Sequence, residues 1–168
     1  MRTSIGIDPG ITGAIGAIRG DELVGVMDLR TMESGRCKWI DADDLIRVLR
    51  EFRGSGPARV YVEHTHAMPG NGAQAANSQG LTLGSILAVL QVCAIPFELV
   101  SPARWKRYHG LIHPPGTTDG VRKSASLSRA RQLYPAAELE LVKHHNRAEA
   151  LLIADFGQAD YLGRTEAA

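Results

Sequence analysis

In the stretch KHHNRAEALLIADF, residues 143–156, His145, Glu149, Leu152 and Phe156 recur at the spacing that places side chains on one helical face. Leu152 and Phe156 turn that face toward a core, where an ionised carboxylate is expensive to bury without a partner. Two more carboxylates stand far upstream: Asp8 ends the strand-like SIGID before Pro-Gly, and Glu63 ends RVYVE. If those strands are neighbours running the same way, the two acids share one edge of a sheet, where ligands of open α/β sheets gather. A last helix that brings Glu149 over them completes a trio that repels itself unless a hard cation holds it, and Mg²⁺ or Mn²⁺ prefers such oxygen donors. The chemistry this cluster serves best is phosphodiester hydrolysis. Two cations about 4 Å apart activate water on one side of phosphorus and stabilise the leaving oxygen on the other. His145, one turn before Glu149, is either a further ligand or the base that prepares the water.

The elements that must position these groups follow from local pattern. Ser4–Asp8, Thr12–Arg19 and Glu22–Leu29 read as three antiparallel strands, the last two joined at Gly20-Asp21. Asp41 is the N-cap of a helix through Phe52, with Leu45, Val48, Leu49 and Phe52 at helical spacing, and Gly54-Ser55-Gly56-Pro57 ends it. Arg59–Glu63 is a strand, followed by the turn-rich HTHAMPGNG. Ala73 to about Ala94 reads as a helix in which Gly80 and Gly84 permit close approach of another backbone. Pro96–Val100 is a short strand, Ser101-Pro102 starts a helix to about His109, and Val121–Leu133 is helical. Between them HGLIHPPGTTDG, residues 109–120, is too rich in Pro and Gly to be regular and reads as a mobile contact loop. The expected fold is α/β, a mixed sheet of three antiparallel strands then parallel strands, with helices on both faces. Residues 1–162 form one domain and 163–168 a frayed tail.

With 168 residues, 44% of them hydrophobic, the chain is long enough for one core without staples. Net charge is only +1, but residues 101–135 carry Arg104, Lys106, Arg107, Arg122, Lys123, Arg129 and Arg131 against Asp119 alone, a basic island. Cys37 and Cys93 belong to no metal-binding or disulfide pattern, which suits a reducing cytoplasm. No leader pattern and no membrane-spanning run is evident.

IGIDPGITGAIG resembles the first-strand motif of the RuvC-type Holliday junction resolvases of the ribonuclease H-like superfamily. VYVEHTHAMPGNG is similar to their second acidic motif as it occurs in phage-borne relatives, HNRAEALLIA to the last-helix motif, and SPARWK to a segment of the phage forms. The motifs come in the family's order and bracket nearly the whole chain. The resemblance implies Asp8, Glu63 and Glu149 as catalytic metal ligands, with His145 completing the set where many relatives carry Asp and where Asn146 is the other candidate. It implies Mg²⁺ or Mn²⁺, two ions per site, and a homodimer, with the helix from Ala73 as dimer helix, that grips a four-way DNA junction and nicks two strands. Arg104, Lys106, Arg107, Arg122 and Lys123 are the implied DNA contacts, with Lys106 and Lys123 on backbone phosphates. The aromatic that family members carry after the second acid is absent, and Met68 is the nearest substitute.

Plainer readings accompany these. Asp8 also suits a turn cap, Glu63 a solvated strand end, and Glu149 a pairing with Arg147 or Lys143. The basic island also reads as a solvated helical face. His64, His66 and His144 read as structural or solvated, Trp105 as packing and Asp155 as surface. Three alternatives to a branched-DNA endonuclease follow: a junction-binding protein with a decayed metal site, a ribonuclease H-like enzyme for flaps or RNA/DNA hybrids, and an ATPase, because DPGITGAIG also resembles the phosphate loop of actin-like kinases. The ATPase needs two such domains, and 168 residues supply one.

Overall fold

The computed structural model describes residues 1–35, 37–64 and 72–166. Strands β1 (Thr3–Asp8), β2 (Ala14–Arg19) and β3 (Glu22–Asp28) form an antiparallel meander. Strands β4 (Thr31–Ser34) and β5 (Cys37–Ile40) make a separate small hairpin. Helix α1 (Ala42–Arg53) leads to β6 (Ala58–Glu63), α2 (Ala73–Val92) to β7 (Phe97–Val100), and α3 (Pro102–Tyr108), α4 (Asp119–Leu133) and α5 (His145–Glu166) follow. The main sheet runs β3-β2-β1-β6-β7, with β6 parallel to both β1 and β7. This is the mixed sheet the pattern predicts.

Helices cover both faces. Leu45, Val48, Leu49 and Phe52 of α1 join Ile86, Val89 and Leu90 of α2 over one face, packed on Ile5, Ile7, Val60 and Val62. On the other face Leu151, Leu152 and Phe156 of α5 pack with Trp105 of α3, Leu127 of α4 and Tyr61 of β6. The side chain of Asp41 accepts the amide of Asp44 at 3.1 Å and caps α1, while Gly54, at φ 59°, ends it in a left-handed turn. Asp41→Ala is expected to cost about 1 kcal/mol, read as a lower urea midpoint at unchanged slope.

The β4–β5 hairpin carries no pattern in the sequence, because most of its side chains face solvent and give no alternation of buried and exposed positions. Gly80 and Gly84 of α2 meet no other atom where a side chain would begin, so the close approach expected there is not made within this chain. Helix α5 continues to Glu166, past Gly163, where the tail was expected to fray. No helix among the described residues is long and apolar enough to cross a membrane.

Candidate active site

Strands β1 and β6 pair in parallel with Ile7 opposite Val62, so Asp8 and Glu63 emerge side by side at the same end of the sheet. Behind Asp8 the chain doubles back at once. A Cβ on Gly13 would lie 2.2 Å from the Asp8 carbonyl oxygen, so only glycine fits that turn. The turn is tied to the start of α5 by Asn146, whose side-chain amide donates to the carbonyl and hydroxyl oxygens of Thr12. Asn146, the alternative ligand, is thus engaged as a loop tie.

Glu149 reaches the acids because α5 lies close on β1. A Cβ on Gly6 would stand 2.1 Å from the carbonyl oxygen of Ala150 and 2.5 Å from the amide nitrogen of Ala154. Ser4 locks the same contact by donating its hydroxyl to the Ala154 carbonyl at 2.7 Å. Glu149 is half-buried, and its Oε1 accepts the Ser126 hydroxyl of α4 at 3.0 Å and lies 3.7 Å from the Lys106 ammonium of α3. These are the partners a carboxylate on an apolar stripe requires. Arg147 is instead paired with Asp28 through two bonds of 2.7 and 2.8 Å.

Buried Glu63 accepts the indole N–H of Trp105 at 2.9 Å on its Oε1. Trp105 is fully buried, as a packing residue should be, but it also aims a carboxylate. The sequence signal was available: a buried indole N–H needs an acceptor, and Trp105 sits in a short helix directly after β7, whose Val100 lies opposite Glu63.

Burial pushes the Asp8 carboxyl well above the usual carboxylate range, and the charges of Glu63 and Glu149 push it further, against Lys106 and Lys123. Glu63 is also raised by burial, opposed by the Trp105 bond, with Glu149 adding to the rise and Lys106 opposing it. The three acids therefore act on one another, and Lys106 and Lys123 offset their charge only in part. Among the described residues no three ligating side chains are gathered tightly enough to enclose an ion as they stand. The chemistry of the donor set still fits a hard divalent cation: these donors are carboxylate oxygens whose mutual repulsion Lys106 and Lys123 only partly offset.

His145 is half-buried and lines a hollow of about 560 Å³ with Lys123, Lys143, Leu127 and Val142. It is not among the groups that shift Asp8 or Glu63. The basic island divides. Lys106 and Lys123 act on Asp8, and Arg122 lines a second hollow with Lys106. Arg104 is spent on Glu98 and Asp160 at 2.9 and 3.0 Å, over the ring of Phe156. Arg107 is exposed at the end of α3, and Arg131 holds the Leu139 and Glu140 carbonyls. Asp155, read from sequence as surface, is half-buried and accepts the Tyr134 hydroxyl at 2.5 Å beside His109. His144 is buried. His66 and Met68 lie outside the described residues.

No family model matches the chain. A curated relative, the chloroplastic Holliday junction resolvase MOC1 of Chlamydomonas reinhardtii, is 38% identical over 96 residues, 56% of this chain and 10% of that protein. The chain thus spans about a tenth of that relative's length. Among solved structures, Thermus thermophilus RuvC in complex with Holliday junction substrate superposes with a TM-score of 0.60 at 18% identity, over 94% of this chain and 95% of that one. A second Thermus thermophilus RuvC structure gives 0.56 at 17% identity, with the same coverage. With Asp8 and Glu63 on adjacent parallel strands and α5 closing over them, the chain has the RuvC fold, a ribonuclease H-like mixed sheet with helices on both faces.

Proposed function

We propose that this protein is a divalent-metal-dependent endonuclease that hydrolyses phosphodiesters in four-way junctions or other branched DNA. The observation that carries the reading is the mutual charge of Asp8, Glu63 and Glu149, bordered by Lys106 and Lys123. Asp8, Glu63 and Glu149 would hold Mg²⁺ or Mn²⁺, two ions per site, with His145 either as a further ligand or as the base for the attacking water. Bound there, the cations would polarise the phosphodiester, lower the pKa of the attacking water and neutralise the leaving oxygen. Trp105 fixes the orientation of Glu63, and Ser126 that of Glu149. Lys106 and Lys123 offset the phosphate charge that enters beside the acids. A second copy of the chain would seat on α2, whose exposed Asn77, Gly80, Leu81, Gly84 and Ala88 recur at helical spacing. The relative and the RuvC complex, both named for the Holliday junction, support the substrate.

A cleavage panel of four-way junction, flap, RNA/DNA hybrid and linear duplex, with Mg²⁺ and with Mn²⁺, tests this reading. Nicking of the junction in preference to linear duplex is expected. Binding without cleavage under either metal would favour a junction-binding protein with a decayed site, a reading fed by His145 and Asn146 in place of the family's acids.

Two substitutions test supporting residues. Trp105→Phe keeps a ring in the core and removes the donor to Glu63. Cleavage should fall about 10–100-fold, the range for losing an outer partner of a metal ligand. The acidic limb of the pH–rate profile should also move to higher pH, because the Trp105 bond holds the Glu63 carboxyl down. Lys123→Ala should weaken junction binding and reduce the slope of log affinity against log salt by about one. An unaltered slope would remove the phosphate contact.

A further inference from the structure

We propose that His109 is a positioning residue for Glu63: by donating its Nε2–H to the Leu152 carbonyl it holds α3 in the rotation at which the Trp105 indole meets that carboxylate. The inference rests on the nuclease reading above. Helix α3 has only seven residues, too few to stand without tertiary anchors, so whatever fixes its rotation decides where its side chains reach. Arg104 ties it to Glu98 and Asp160 through a guanidinium that is itself partly exposed, and such ion pairs hold a helix weakly. The buried anchors are Trp105 and His109. They stand four residues apart, with the His109 amide donating to the Trp105 carbonyl at 3.2 Å, so both side chains lie on one face. Their rings meet edge to face with centroids 6.3 Å apart.

The partners of the ring fix its protonation. Nε2 lies 2.8 Å from the Leu152 carbonyl oxygen, and a carbonyl only accepts, so Nε2 carries a proton. Nδ1 is buried with no hydrogen-bond partner among the described residues, so a second proton there would have no acceptor. Burial holds the imidazole below its usual pKa, opposed by the Leu152 bond and Asp155 and aided by Arg129 of α4. The neutral Nε2–H tautomer is the form these surroundings accept. Asp155 does not take the Nε2 proton from Leu152, because its Oδ2 stands 3.9 Å from Nε2 while its Oδ1 accepts the Tyr134 hydroxyl. One buried, directed bond thus runs from the end of α3 to α5, three residues after Glu149. One turn back on the same face of α3, Trp105 donates to Glu63 at 2.9 Å. A rotation of α3 that broke the first bond would carry the second donor away from its acceptor.

The test compares His109→Leu, which fills the space without a donor, with His109→Gln, whose amide carries an N–H at about the reach of Nε2. Single-turnover cleavage of a four-way junction with Mg²⁺ is measured at a temperature where all variants are folded, and junction binding is measured in EDTA. His109→Leu should cut about tenfold more slowly with binding within a few-fold of wild type, and His109→Gln should recover most of the loss. Because His109 acts through Trp105, adding His109→Leu to Trp105→Phe should cost little more than Trp105→Phe alone. In a Trp39→Phe background Trp105 is the sole tryptophan, and its emission should shift in His109→Leu but not in His109→Gln. Should His109→Leu fail to fold, His109→Asn, whose shorter amide falls short of Leu152, replaces it. Imidazole nitrogen shifts of wild type at neutral pH should report the Nε2–H tautomer. Equal activities in the Leu and Gln variants, losses that multiply with Trp105→Phe, or an Nδ1–H or cationic ring would each overturn the proposal. If wild type cuts no branched DNA, the nuclease reading falls, and the tautomer and the Trp105 emission still decide whether His109 sets the rotation of α3.

Discussion

Asp8→Asn and Glu63→Gln should each lower the rate of junction cleavage by roughly 10³-fold or more, the scale of removing several kcal/mol of metal-supplied charge stabilisation, while junction binding stays within a few-fold of wild type. The asymmetry follows from position. Both acids lie at the end of the sheet and would repel a phosphate, whereas under the proposed reading affinity would come from Lys106 and Lys123, whose charges already act on Asp8. Single-turnover cleavage beside gel-shift binding separates the two quantities. Unchanged turnover in both variants would remove the assigned site.

The same substitution has a stability signature without metal. The Asp8 carboxyl is held above its unfolded value by burial, Glu63 and Glu149, so the folded state binds its proton more tightly than the unfolded chain does. Stability from this group is complete below the unfolded pKa and is lost as pH rises through the raised folded value. In EDTA, Asp8→Asn should therefore melt near wild type at the lowest pH and increasingly above it as pH rises from about 4 toward neutrality. Added Mn²⁺ should close the gap by stabilising wild type. A melting difference that is flat in pH would mean that the carboxyl is not strained by its neighbours.

Gly6→Ala should be the most damaging single methyl in the fold. The atoms that its Cβ would meet at 2.1 and 2.5 Å are backbone atoms of α5, which cannot rotate away, so strand and helix must part. The expected cost is about 3 kcal/mol, which for a chain of this size lowers the melting temperature by roughly 6–12 °C. Gly157→Ala is the informative comparison. Its Cβ would strike the Tyr61 ring at 2.2 Å, also in the packed interface but two turns farther along α5 from Glu149. Both variants should lose stability, and at a temperature where both remain folded only Gly6→Ala should also lose cleavage, through displacement of Glu149. Equal residual activities would show that the approach of α5 at Gly6 does not set the site.

The parts of this molecule legible in its sequence are those whose cause is local. Asp41, the Leu45–Phe52 stripe and Gly54 lie within a few residues of one another and define α1 from cap to stop. The three opening strands carry alternation and turns of their own, and the acids at the ends of β1 and β6 are visible as strand termini. The β4–β5 hairpin escaped because an exposed hairpin has no apolar period to read. Lys106 and Arg104 are two residues apart in one basic helix, yet one faces Glu149 and the other Glu98 and Asp160. Nothing in the string of charges distinguishes them. Trp105 and Asn146 were likewise visible as residues but not as the supports of Glu63 and of the turn behind Asp8.

What the sequence alone determined is the strands of the main sheet, the helices that cover it and the acids at the strand ends, because backbone preference and apolar period operate within a turn or a strand. Which charges meet was decided by tertiary structure. Strand β6 had to pair beside β1, and the missing side chain of Gly6 had to admit α5, before Glu149 could stand over Asp8 and Glu63. Electrostatic coupling depends on distance in space, and that distance is fixed by packing between segments far apart in the chain.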